Sequence, residues 1–170
     1  MLVDNGISDE IITALLPLKG QKLNYISRAA NMLDIGFGNS MKYISSSNNE
    51  HVAACFAIHV QSSWRFVKDK KIVLAFNDFY IPKDNIAFDV FEEKQFGNSQ
   101  FDIRSDKINN IIKNLQIKVI NIIANNLGDI TIFFENGFSL EIFVDVSGMK
   151  ESWRFFRMDD DLEHFVVFDE

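Results

Sequence analysis

Residues 130–146 read ITIFFENGFSLEIFVDV, and the fold follows from how this stretch is paired. Apolar residues alternate along both arms: Ile130, Ile132 and Phe134, then Phe138, Leu140, Ile142, Val144 and Val146. A period of two places them all on one face of a sheet. The turn between the arms sets the register. A two-residue loop of Asn136-Gly137 would set Phe133 against Leu140 and mix apolar with polar residues on both faces. A longer loop, Glu135-Asn136-Gly137, pairs Phe134 with Phe138, Ile132 with Leu140 and Ile130 with Ile142. This predicts a type I turn closed by Gly137 in the left-handed region.

Similar alternation runs from Val52 through Ala54, Phe56, Ile58 and Val60, with Cys55, His59 and Gln61 on the opposite face. Trp64 to Val67 and Ile72 to Phe76 flank the charged turn Lys68-Asp69-Lys70-Lys71 and predict a second hairpin. Lys22 to Ala29 and Met32 to Phe37 read as short strands bent at Ala30-Asn31, and 45–50 reads as a loop. A helix is predicted over about 9–16, capped by Ser8 and ended by Pro17 and Gly20. Another, capped by Ser105, runs to about Ile112. The β-branched density of Ile117, Val119, Ile120, Ile122 and Ile123 favours a strand over 115–124.

A duplication supports that last assignment. Ser63-Trp64-Arg65-Phe66 recurs as Ser152-Trp153-Arg154-Phe155, and Ala30-Asn31-Met32-Leu33 is echoed by Ala124-Asn125-Asn126-Leu127. Each Trp-Arg-Phe is followed by a charged turn and an apolar strand. Two copies form a repeated β-meander rather than a solenoid. In a strand, Trp and Phe face one way and Arg the other, so the aromatics cap a core while Arg65 and Arg154 face outward or bridge an acidic neighbour. The predicted class is α+β, mainly β: one domain over 1–170, with repeat units at about 20–81 and 113–168 joined by 82–112 and related by an approximate two-fold, Trp64 matching Trp153.

Composition narrows the classes of function. At 170 residues with 17 Phe, the chain is long enough to bury a sizeable core. One cysteine, Cys55, leaves no internal disulfide and points to a reducing compartment. No signal peptide and no run of the ~20 apolar residues a membrane span needs are legible, so a cytoplasmic location is expected. Residues 1–128 hold 14 Lys/Arg and 13 Asp/Glu, a net of +1. Residues 129–170 hold 3 Lys/Arg and 11 Asp/Glu, a net of −8. An acidic last quarter repels nucleic acid and membrane surfaces and attracts basic partners.

His51, His59 and His164 lack metal-ligand spacing, so no metal or cofactor is expected. Asp159-Asp160-Asp161 reads as a solvated charged turn. Gly36-x-Gly38 does not open a helix and so is no phosphate loop. Asp145 and Glu151 have no partner placed for acid–base work.

Several segments resemble a group of small bacterial proteins. They are Arg28-Ala29-Ala30-x-Met32-Leu33 with Phe37-Gly38, Phe56 to Gln61 before Trp64-Arg65, and Asn77 to Pro82. Gly128-Asp129, Phe134 to Gly137, Leu140 to Phe143 and Trp153-Arg154 continue the likeness. The chain departs from the commoner pattern at Asp34, Ser62-Ser63 and Val144. Members of this group include immunity proteins of contact-dependent growth inhibition systems, which neutralise the toxin encoded beside them; some accept a toxin hairpin as an added strand.

The resemblance implies a non-enzymatic immunity protein, monomeric or weakly dimeric, whose partner is the C-terminal domain of a cognate toxin, expected to be a nuclease, rather than nucleic acid or membrane. The expected contacts are Phe79, Tyr80, Phe88 and Phe91, from the long irregular segment 77–104, and Asp159, Asp160, Asp161 and Glu163. Two alternatives are carried: an enzyme or ligand-binding protein with a pocket between the repeats around His59, Arg65 and Asp145, and a structural or regulatory dimer.

Overall fold

The computed structural model describes residues 6–45, 47–148, 150–158 and 164–168. In chain order the elements are α1 (Ile7–Leu15), β1 (Leu23–Ala29), β2 (Met32–Ile44), β3 (Glu50–Val60), β4 (Ser63–Lys68) and β5 (Lys71–Ala75). Then come α2 (Gln100–Leu115), β6 (Val119–Ala124), β7 (Ile130–Phe134), β8 (Phe138–Phe143), β9 (Glu151–Arg157) and β10 (Phe165–Phe168). Short 3-10 turns occupy Leu16–Leu18, Phe76–Tyr80, Phe88–Val90 and Glu135–Gly137.

The predicted class holds: two antiparallel sheets of five strands, with two α-helices. The first sheet has the order β1-β2-β3-β9-β10 and the second β6-β7-β8-β4-β5. Each half of the chain therefore builds a three-stranded meander and sends its last hairpin to the sheet of the other half. The helices cross over in the same way: α1 packs on β6 and α2 on β1. The duplicated unit is helix plus five strands, so α2 opens the second copy rather than belonging to a connection over 82–112.

The register shows the equivalence residue by residue. Trp64, Arg65 and Phe66 pair with Ile142, Glu141 and Leu140, as Trp153, Arg154 and Phe155 pair with Val60, His59 and Ile58. Both first strands carry an irregularity at the matching place, between Leu23 and Tyr25 and between Val119 and Asn121. Lys22 and Lys118 bridge each other. The Leu23 N–H donates to the Ile117 carbonyl (2.9 Å), as the Val119 N–H donates to the Gln21 carbonyl (2.9 Å). The approximate two-fold runs between these segments and ties the two sheets together.

The inward faces of both sheets and of both helices share one apolar cluster, which includes Phe37, Ile58, Trp64, Phe66, Phe134, Leu140, Trp153 and Ile11. Arg65 and Arg154 face outward and pair with Glu141 and Glu151, as strand alternation requires.

Several expectations need correction. The pairs Ile130–Ile142 and Ile132–Leu140 are as predicted. The turn, however, carries both Asn136 (φ 59°) and Gly137 (φ +74°) in the left-handed region, where Asn and Gly are the tolerated types. β8 ends at Phe143, short of Val146, and β2 continues past Phe37 to Ile44. Val52 is exposed, because that end of the β2–β3 hairpin extends beyond the core. Gly6, not Ser8, caps α1.

Helix α2 begins at Gln100, ahead of Ser105. Ser99 accepts from the Asp102 N–H while the Asp102 carboxylate accepts from the Ser99 N–H, a reciprocal cap that Ser105 cannot supply from inside the helix. Gln116, in the left-handed conformation, ends the helix, so the strand predicted over 115–124 is confined to Val119–Ala124. The upstream echo is also misaligned: by register Leu33 matches Ile130, both buried, whereas Leu127 is an exposed loop residue.

Candidate partner-binding surface

The segment between β5 and α2 is organised from one buried residue. Arg28, at the end of β1, is 7% exposed and uses all five guanidinium donors. Nε donates to Asp102 Oδ1 and Nη2 to Asp102 Oδ2, both at 2.7 Å. The remaining donors reach the carbonyls of Ala30 (3.1 Å), Glu93 (2.6 Å) and Gln95 (3.0 Å). The cation also lies 5.4 Å from the Phe96 ring centroid and 6.0 Å from that of Phe79.

Asp102 accepts in addition from the N–H of Gly97 (2.9 Å) and from the N–H and hydroxyl of Ser99. Burial alone would raise its pKa. The hydrogen bonds from Arg28 and Ser99, with the Arg28 charge, outweigh that and hold the carboxyl below the usual aspartate range.

The loop is closed at its base. Pro82 bridges Ser99, the Lys83 N–H donates to the Asn98 carbonyl (2.8 Å), and the Gln100 N–H donates to the Ile81 carbonyl (2.7 Å). Residues 81–98 are thus fixed at both ends and gripped at Glu93, Gln95 and Gly97, while several of their apolar side chains face solvent. Phe88 is 75% exposed, Val90 68% and Phe96 67%; Ile81 and Tyr80 are also exposed.

The four expected aromatic contacts separate. Phe88 and Tyr80 are exposed and Phe91 is half-buried. Phe79 is fully buried and belongs to the core, 4.5 Å from Phe101 and 5.7 Å from Trp64 between ring centroids. It is held inward because Asp78, before it, accepts from the Ala75 N–H and from Arg104. Phe96 and Val90 are exposed members of the same segment that the four-residue expectation omitted. Asp159, Asp160, Asp161 and Glu163 lie outside the described residues.

Helix α2, rather than the irregular part of the segment, covers a strand edge. Asn109 donates to the Ile26 carbonyl and accepts from the Ile26 N–H, both at 2.8 Å, and so satisfies β1. β10 is the other outer strand of the first sheet, and β5 and β6 are the outer strands of the second.

His59, Arg65 and Asp145 do not converge. His59 meets Asp34 and Phe156 on the first sheet. Arg65 meets Glu141 and Phe143 on the second. Asp145 accepts from the Ser63 N–H and hydroxyl. His51 stacks on Tyr43, and His164 on Phe156. Among the described residues, no three His, Cys, Asp or Glu side chains are grouped to hold a metal ion. No helix among them is long and apolar enough to cross a membrane.

The outer face of the first sheet carries a groove of about 650 Å³ beside α2, with Phe96 on its rim. The outer face of the second sheet bears exposed Ile72, Ile120 and Ile123 around the Arg65–Glu141 pair.

No family model matches the chain, and no curated protein or solved structure matches it.

Proposed function

We propose that this chain is a protein-binding module of the immunity type, which neutralises a cognate toxin domain in the cytoplasm by direct association. The observation that supports this most is the 81–98 loop: it exposes Phe88, Val90 and Phe96, is closed at its base and is held at Glu93, Gln95 and Gly97 by Arg28 and Asp102. Exposed apolar side chains on a pre-ordered loop avoid much of the ordering cost of association, and aromatics make effective anchors. The net charge of −7 matches a basic partner and would speed its capture. The resemblance at Phe56 to Arg65 and Gly128 to Phe143 supplies the class of partner.

The test is reconstitution with the toxin domain encoded beside this chain. A one-to-one complex on size exclusion, together with loss of toxin activity, is expected. No complex and undiminished toxin activity would contradict the proposal.

A further inference from the structure

The outer face of the first sheet holds a cluster that the fold does not require. Tyr25 OH donates to Asp34 Oδ1 at 3.1 Å, and His59 Nε2 lies 3.4 Å from the same oxygen. Tyr25 lies flat because its neighbour is Gly36, where a Cβ would stand 2.2 Å from the ring. Burial, then the Asp34 charge and hydrogen bond, push the Tyr25 phenol well above its ordinary pKa, so it remains a donor to Asp34.

The duplication supplies an internal control. By register, inward residues keep their character between the halves: Ile35 with Ile132, Phe37 with Phe134, Ile58 with Leu140, Val60 with Ile142. Outward, Arg65 and Arg154 match, but the residues of this cluster do not. Tyr25, Asp34, Gly36 and His59 match Asn121, Thr131, Phe133 and Glu141. The second half builds the same sheet without the tyrosine, aspartate and histidine, so sheet formation does not explain them.

The cluster forms one wall of the 650 Å³ groove, a volume suited to a small ligand or a long side chain. Tyr25, Tyr43, Phe96 and Phe156 give it aromatic surface. Its lining contains two carboxylates, Asp34 and Asp106, and no lysine or arginine. His59 Nε2 is turned to Asp34, on the same wall of the groove. Aromatic faces and carboxylates together suit an organic cation rich in N–H donors.

We propose that this groove is a binding site for a guanidinium or alkylammonium group. The chemistry is shared by a free amine and by the arginine or lysine side chain of a basic protein, and the proposal stands whether or not the partner is a toxin.

The full chain, labelled with nitrogen-15, would be titrated at millimolar concentration with agmatine, with N-acetyl-arginine amide, and with neutral N-butylurea. Saturable shifts at the amides of Ser27, Ala57 and Asn109 are expected with one or both cations and not with the urea. Tighter binding of the arginine amide would identify a peptide source; tighter binding of agmatine, a free amine. Asp106→Asn, on the exposed face of α2, should weaken the cation at least about five-fold with the spectrum otherwise intact, and Asp34→Asn should do the same. Absence of shifts with both cations, equal binding of the urea, or undiminished affinity in both variants would overturn the proposal.

Discussion

Phe37 and Phe134 stack on each other, ring centroids 6.3 Å apart and planes 9° from parallel. They occupy matching positions in β2 and β7, and each is at most 2% exposed. The contact joins one copy of the duplicated unit to the other at the heart of the common core. Phe37→Ala and Phe134→Ala should therefore each cost about 3–5 kcal/mol, the range for emptying a buried phenylalanine site. Urea unfolding measures this. Loss confined to one of the two would mean that the halves do not share the core equally.

The Arg28–Asp102 pair fixes both α2 and the 81–98 loop. Asp102→Ala leaves a buried guanidinium without its counter-ion and should cost about 3–5 kcal/mol. The pH dependence has a definite sign. Asp102 and Glu151 both have lowered folded-state pKa values, Asp102 through Arg28 and Ser99 against the effect of burial, and Glu151 chiefly through its Arg154 hydrogen bond. Their contribution is complete above the ordinary carboxylate range and is lost as pH falls through the lowered folded values. Urea midpoints should fall with acidification in the wild type, and less steeply in Asp102→Ala. Parallel curves would contradict this.

Gly36 is the position at which a small side chain makes room for Tyr25. Gly36→Ala places a Cβ in the ring, 2.2 Å from Cε1, and should cost about 1–3 kcal/mol while turning Tyr25 away from Asp34. Near-ultraviolet circular dichroism and urea unfolding read the two effects. An unchanged tyrosine signal and midpoint would show that the sheet absorbs the methyl group elsewhere.

Local pattern made the hairpin register, the Trp-Arg-Phe duplication and the outward arginines legible. Alternation fixes which face a residue takes, but not which distant strand lies beside it. The exchange of the β4–β5 and β9–β10 hairpins between halves was therefore invisible, as was the ion pair between residues 28 and 102. The start of α2 was written in Ser99 and Asp102, a reciprocal cap three residues apart, but Ser105 offered the same residue type closer to the isoleucine stripe. Phe79 looked like its exposed neighbours because its burial depends on Asp78, Trp64 and Phe101. The groove residues Tyr25 and Asp34 carried no signal of their own; their meaning comes from comparison with Asn121 and Thr131 in the second half.

Phe88 and Val90 lie in the same short turn and are exposed, so truncating them should leave stability nearly unchanged. If the loop meets the partner, Phe88→Ala should weaken binding of the toxin domain by more than about 1 kcal/mol, with a smaller loss for Val90→Ala. Calorimetric titration beside a thermal melt distinguishes lost contact from lost folding. Full affinity in both variants would remove these two residues from the contact.

Hydrogen exchange on the complex tests the central claim most directly, because it reports where the partner sits without changing a residue. With the toxin domain bound, amides between residues 81 and 98 should exchange more slowly than in the free protein, and those of the outer face of the second sheet should be unaltered. Protection confined to β5, β6 or other surfaces remote from residues 81–98 would contradict the account.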